Sequence, residues 1–132
     1  MAAILVVDDE PDVAEAIQAV LEHAGFTVAV ANSAAAGLEA VEAREFAVVV
    51  TDIIMPKVNG LELIRNLRRR HPRLRVIAIS GGGSFGPLSH KPDAISTHAF
   101  IAAARDAGAV VVLTKPFDME DLLSAIRQHL PN

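Results

Sequence analysis

The chain has 132 residues, 52% of them hydrophobic, enough for one domain with a substantial core. It has no cysteine, which excludes disulfides, zinc–thiolate centres and a cysteine nucleophile and suits a reducing compartment, and its formal net charge is −4, which argues against a general nucleic-acid platform. No apolar run approaches the roughly 18–20 residues needed to span a bilayer, and the start, MAAILVVDDEPD, lacks the basic region and long apolar stretch of a secretory signal. The expectation is a single cytoplasmic domain over 1–132.

Five short β-rich runs alternate with helical patterns. The first run, AAILVVD (2–8), is continuously apolar and ends in acid. A helix is predicted over 11–24, with Val13, Ile17, Val20 and Leu21 at helical spacing, Pro11 in its first turn and Gly25 as its stop. FTVAVA (26–31) is followed by a helix over 33–43, which Ser33 caps and whose inward stripe holds Leu38 and Val41. FAVVVT (46–51) leads to a helix over about 59–70, carrying Leu61, Leu63, Ile64 and Leu67. LRVIAIS (74–80) is followed, after an irregular stretch, by a helix over about 97–107 with Phe100, Ile101 and Ala104. AVVVL (109–113) precedes a last helix that begins at Asp118 and carries Leu122, Leu123, Ile126 and Leu130.

Unbroken Val/Ile runs suit parallel strands covered by helices on both faces. The alternation predicts an α/β fold, a (βα)5 doubly wound parallel sheet in strand order 2-1-3-4-5. In such sheets chemistry gathers at the carboxyl ends of the strands. Strand one ends in Asp8-Asp9-Glu10, strand three in Thr51-Asp52, strand four at Ser80, and strand five runs into Thr114-Lys115-Pro116. Strands one and three are expected to be neighbours, so Asp8, Asp9 and Asp52 converge. Three close carboxylates repel one another, and a hard divalent cation, Mg²⁺ or Mn²⁺, resolves that conflict with oxygen ligands. Lys115 and the Ser80 hydroxyl suit phosphoryl oxygens. Together they predict a phosphoryl-transfer site in which the acidic pair holds the metal and Asp52 is the nucleophile. Pro56 and Gly60, in IIMPKVNG, shape the approach to the third helix. Taken singly, each residue has a plainer reading: Asp9 and Glu10 complement a helix dipole, Thr51-Asp52 is a turn, Lys115 a solvated charge.

The segments ILVVDDEPDV, VVTDIIMPKVNGLELI, VIAIS and GAVVVLTKPF, in this order across nearly the whole chain, resemble a response-regulator receiver domain of the chemotaxis-regulator type, which has a flavodoxin-like fold. The resemblance implies Asp52 as phosphoacceptor and Asp8, Asp9, Asp52 and the Ile53 backbone carbonyl in Mg²⁺ binding. It also implies that Ser80 and Lys115 contact the phosphoryl group. The implied donor is a histidine kinase or histidine phosphotransfer protein in two-component or phosphorelay signalling. Val13, Ala16, Pro116 and Phe117 match the positions where such partners dock, although Val13 and Phe117 also read as core residues. The implied role is a conformational switch that assists its own phosphorylation and hydrolysis without being a metabolic enzyme. Its downstream partner is another protein, with no direct contact to nucleic acid or membrane.

The chain departs from that pattern in three places. Many receivers carry Tyr or Phe three residues before the lysine, where this chain has Val112, which cannot swing a ring. The residue after the serine is Gly81 in place of the usual alanine. Residues 82–96 lengthen the connection to the fourth helix by roughly a dozen residues, a length uncommon in compact domains unless functional or disordered. This insertion reads first as a tolerated surface loop; the sharper alternative is that it replaces or modulates the switch through apolar contact by Phe85 or Leu88. SGGGSFG lacks the spacing of a Walker phosphate loop.

Other classes fit less well. A flavodoxin-like cofactor binder needs a hydroxyl- or glycine-rich loop where this chain has DDEPD. An Mg²⁺-dependent aspartyl-phosphate phosphatase needs a second acid two residues after the nucleophile, but Asp52 is followed by Ile53-Ile54. A phosphorylation-independent interaction module would not need the full acidic set. Arg65, Arg68, Arg69, Arg70, Arg73 and Arg75, half of the twelve Lys and Arg residues, read as a solvated helix end rather than a nucleic-acid patch. The five histidines have no metal-ligand spacing.

Overall fold

The computed structural model describes residues 3–53, 60–80, 94–114 and 117–130, with 94–100 described as backbone. Five strands, β1 (Ala3–Val7), β2 (Thr27–Ala31), β3 (Val48–Asp52), β4 (Arg75–Ser80) and β5 (Val111–Thr114), form one parallel sheet in the order β2-β1-β3-β4-β5. Helices α1 (Pro11–His23), α2 (Ala34–Ala43), α3 (Gly60–Arg70), α4 (Ala94–Ala107) and α5 (Met119–His129) alternate with them. This is the predicted doubly wound architecture.

The apolar runs are unbroken because both faces of the sheet are buried. Ile4, Val6, Val48, Val50, Ile77 and Ile79 pack with Ile17 and Leu21 of α1 and Leu122 and Ile126 of α5. The alternate residues Leu5, Val7, Val49, Val76 and Ala78 face the other way, toward Val41 of α2, Leu63, Ile64 and Leu67 of α3, and Ala104 of α4. A period of two thus assigns each strand residue to one of two cores.

The helix ends follow local chemistry. The Ser33 hydroxyl accepts the Ala36 N–H at 3.0 Å, capping α2 as expected. Pro11 occupies the first turn of α1, and Gly25 beyond its end has φ +103°, which glycine adopts without a Cβ penalty. Alanines and glycine supply core contacts that a search for large apolar residues misses: Ala14 in α1 and Gly37 in α2 are buried, whereas Val13, Val20 and Leu38 are half-buried.

Most boundaries differ from expectation by a residue or two, and three of them bear on the site or the loop. Strand β3 runs through Asp52, because Asp52 is still in register with Ile79 of β4. Strand β5 starts at Val111, since the preceding Ala109 N–H donates to the Ala104 carbonyl at the end of α4. Helix α4 starts at Ala94, so residues 94–96 of the expected 82–96 insertion are its first turn; 82–93 lie outside the described residues.

Ile77 lies at the centre of the sheet with 0% exposure. Ile77→Ala is expected to lower unfolding free energy by about 2–5 kcal/mol, read as a reduced urea midpoint at unchanged slope.

Candidate functional site

Strand register brings the acidic residues together. Val7 is level with Thr51, so Asp8 and Asp52 leave adjacent strands side by side. One carboxylate oxygen from each of Asp8, Asp9 and Asp52 lies within 4.8 Å of the others. Asp8 and Asp52 are buried, at 2% and 4% exposure, and Asp9 is half-buried. Ser80, also buried, ends β4 opposite Thr114 of β5, so it stands on the same sheet edge.

Backbone and side-chain hydrogen bonds hold this edge in place. The Asp8 N–H donates to the Ala31 carbonyl at 3.0 Å, continuing the ladder past the end of β1. Asp8 Oδ1 accepts the Glu10 N–H at 2.9 Å, which orients the carboxylate where the chain turns into α1. Asn32 Nδ2 donates to the Asp8 carbonyl at 3.0 Å from the end of β2. Asn32 has no place in the sequence-based site; its signal was a side-chain amide directly after a strand that neighbours β1. On the other side, the Thr51 hydroxyl donates to the Asp52 carbonyl and the Ile53 N–H to the Ile79 carbonyl, each at 3.0 Å.

Gly60 opens α3 against this edge. Its N–H donates to the Ile53 carbonyl at 3.0 Å, which leaves that oxygen a second lone pair. A Cβ at residue 60 would lie 2.5 Å from the Ile53 carbonyl oxygen and 2.7 Å from that of Asp52. Only glycine lets the helix approach so closely, which gives the predicted shaping role of Gly60 a steric cause. Pro56 lies outside the described residues.

Asp8, Asp9 and Asp52 bring like charges together. Two carboxylates at such separations repel by on the order of 3 kcal/mol per pair at an effective dielectric constant of about 20. A donor set of three carboxylates fits a hard, oxygen-loving divalent cation, which removes that repulsion and satisfies the acceptors.

The other sequence-derived positions divide as follows. Lys115, Pro116 and Gly81 lie outside the described residues, as do Phe85 and Leu88. Val112 is half-buried and packs on the core beneath α3 and α4. Val13 and Phe117 are half-buried against the α1–α5 core, and Ala16, one turn along from Val13, is exposed. These two apolar side chains therefore contribute to packing and to the surface at once. Arg68, Arg69 and Arg70 end α3 as an exposed cationic turn.

Fold and pocket together define a doubly wound α/β domain with an all-carboxylate site where the strand order reverses. The chain belongs to the response regulator receiver domain family of two-component signalling, whose model matches residues 4–127. It is 32% identical to the receiver protein CpdR of Brucella abortus over 130 residues, covering 98% of each chain. It is also 32% identical over 127 residues to the transcriptional regulatory protein YkoG of Bacillus subtilis, covering 96% of this chain but 50% of YkoG, about half the relative's length. A receiver domain structure from Clostridium thermocellum superposes with a TM-score of 0.81 at 30% identity, over 98% of this chain and 94% of that one. Receiver domains generally bind Mg²⁺ at an acidic pocket and are phosphorylated by kinases. Among the described residues no helix is long and apolar enough to cross a membrane.

Gly60→Ala is expected to displace the Asp52–Ile53 backbone and destabilise the domain by about 1–3 kcal/mol, measured by urea denaturation. An unchanged midpoint would show that α3 recedes at no cost.

Proposed function

We propose that the chain is a phosphoacceptor switch in which Asp52 takes a phosphoryl group from a phosphohistidine on a histidine kinase or histidine phosphotransfer protein. The observation that carries this reading is the gathering of Asp8, Asp9 and Asp52 within 4.8 Å at the ends of two adjacent strands. Asp8, Asp9, Asp52 and the second lone pair of the Ile53 carbonyl would hold Mg²⁺. Bound there, Mg²⁺ neutralises charge on the phosphoryl oxygens and the surrounding carboxylates.

An Asp52 carboxylate oxygen attacks phosphorus. The P–N bond to the donor imidazole breaks, and the imidazole nitrogen leaves with the electron pair and takes up a proton. The fixed backbone at Asp52 supports an in-line approach, because its carbonyl is tied to Thr51 and Ile53 is tied to β4. Ser80 donates its hydroxyl to a phosphoryl oxygen, and Lys115 offers an ammonium group to another. The product is a more anionic side chain than the original carboxylate, and these donors reorganise around it. In this reading the domain is a switch rather than a turnover enzyme, and it works in the cytoplasm. Val112 has no ring to move, so the output does not run through an aromatic at that position. Val13, Ala16, Pro116 and Phe117 form the donor's docking face.

Incubation with acetyl phosphate and Mg²⁺ followed by intact-mass measurement tests the proposal. The wild type is expected to gain one phosphoryl group, lost on chelation of the metal beforehand, and Asp52→Asn none. No adduct on the wild type, or an undiminished one on Asp52→Asn, overturns it.

A further inference from the structure

At the end of the sheet opposite the acidic pocket, the entries to β1, β3 and β4 border a groove of about 620 Å³. That volume falls in the range of about 300–1,000 Å³ that ligand-binding clefts occupy. The floor is apolar, made of Val41 from the end of α2, Phe46 before β3 and Leu74 before β4. It is also rigid. The Ala47 N–H donates to the Ala3 carbonyl at 2.8 Å and the Arg75 N–H to the Ala47 carbonyl at 3.3 Å, so the three strand entries are tied together.

The rim is polar, with arginine in excess of glutamate. Arg44, His71 and Arg73 line it, together with Glu45. The Arg44 guanidinium lies 5.1 Å from the centroid of the Phe46 ring, a cation–π contact that holds it over the groove while it stays exposed. Glu42 beside the groove is already engaged, 3.5 Å from Arg70 and 3.1 Å from His71 Nε2. Arg44 and Arg73 make no ion pair with any described residue. The helices α1 and α2 have the opposite sign, with no Lys or Arg in either, and the chain as a whole is at −4. Two guanidinium groups without an ion pair to any described residue thus flank an apolar floor.

We propose that this groove docks an acidic peptide segment of a partner protein. One apolar side chain of the segment sits on Val41, Phe46 and Leu74, and flanking carboxylates pair with Arg44 and Arg73, the bidentate geometry that arginine favours. A nucleic acid fits less well. A phosphate backbone carries a charge at every nucleotide and would have to pass Glu45 as well as the two arginines, whereas a peptide can place its carboxylates at the arginines alone.

The test follows amide resonances of the isotopically labelled full chain during titration with the blocked peptide Glu-Glu-Phe-Glu-Glu. Shifts are expected at 41–47 and 71–75, and affinity falls at least about tenfold in the double variant Arg44→Glu/Arg73→Glu. Both positions are exposed, and an otherwise unchanged spectrum of the variant verifies its fold. Replacing the peptide's Phe by Ser is expected to weaken binding as well. Shifts absent or scattered over the surface, equal binding by the variant, or equal binding of the Ser peptide each overturn the proposal. A thymidine oligonucleotide binding more tightly at the same residues overturns it in favour of a nucleic-acid site. None of these outcomes depends on whether Asp52 accepts a phosphoryl group.

Discussion

Parallel pairing of β1 with β3 is the constraint on which the rest of the structure depends. With Val7 held level with Thr51, the next residues on both strands are aspartates, and they leave the sheet together. The packing on either face keeps that register. A slip by one residue would turn every buried Val and Ile toward the wrong core. The hydrophobic cores therefore maintain a concentration of negative charge that the carboxylates alone would disperse. That is a local conflict within an otherwise consistent sequence, and such conflicts mark functional sites.

Backbone groups supply much of the support described around the pocket. Ala31, Glu10, Ile79 and Gly60 contribute main-chain groups, while Asn32 and Thr51 add one side-chain bond each to the carbonyls of Asp8 and Asp52. Such a frame fixes the ends of β1 and β3 from which the carboxylates project. It also explains why a glycine opens α3. Its helix packs directly on the carbonyls of Asp52 and Ile53, where a Cβ would not fit. The carboxyl and amino ends of the sheet thus differ in chemistry: anionic and tightly framed at one, cationic around an apolar groove at the other.

Much of this was legible in the sequence, because burial of both faces forces continuous Val/Ile runs that are hard to read as anything but parallel strands. The strand-end aspartates followed from the same pattern. What escaped was set by contacts rather than by residue type. Ala14 and Gly37 carry no hydrophobic signal of their own, yet they fill narrow spaces; Gly37 sits against the Val7 side chain. Asn32 acts across a strand pair, at a distance in sequence that local reading does not cover. The start of α4 lies three residues before the expected one, since Ile95 stands apart and the apolar run that sets the expectation resumes only at Phe100. The cue for the earlier start was Pro-Asp just before Ala94, a common opening for a helix. Lys115 and the stretch 82–93 lie outside the described residues, so their expected roles rest on sequence.

The central claim is that the three carboxylates form a site for a divalent cation, on which phosphoacceptance depends. The direct measurement is thermal unfolding of wild type and Asp9→Asn across a Mg²⁺ titration. If the cation binds the folded state through these residues, the wild-type midpoint rises progressively with Mg²⁺ by mass action, and that of Asp9→Asn rises far less. Midpoints that do not respond to Mg²⁺, or that rise equally in both proteins, would contradict the account.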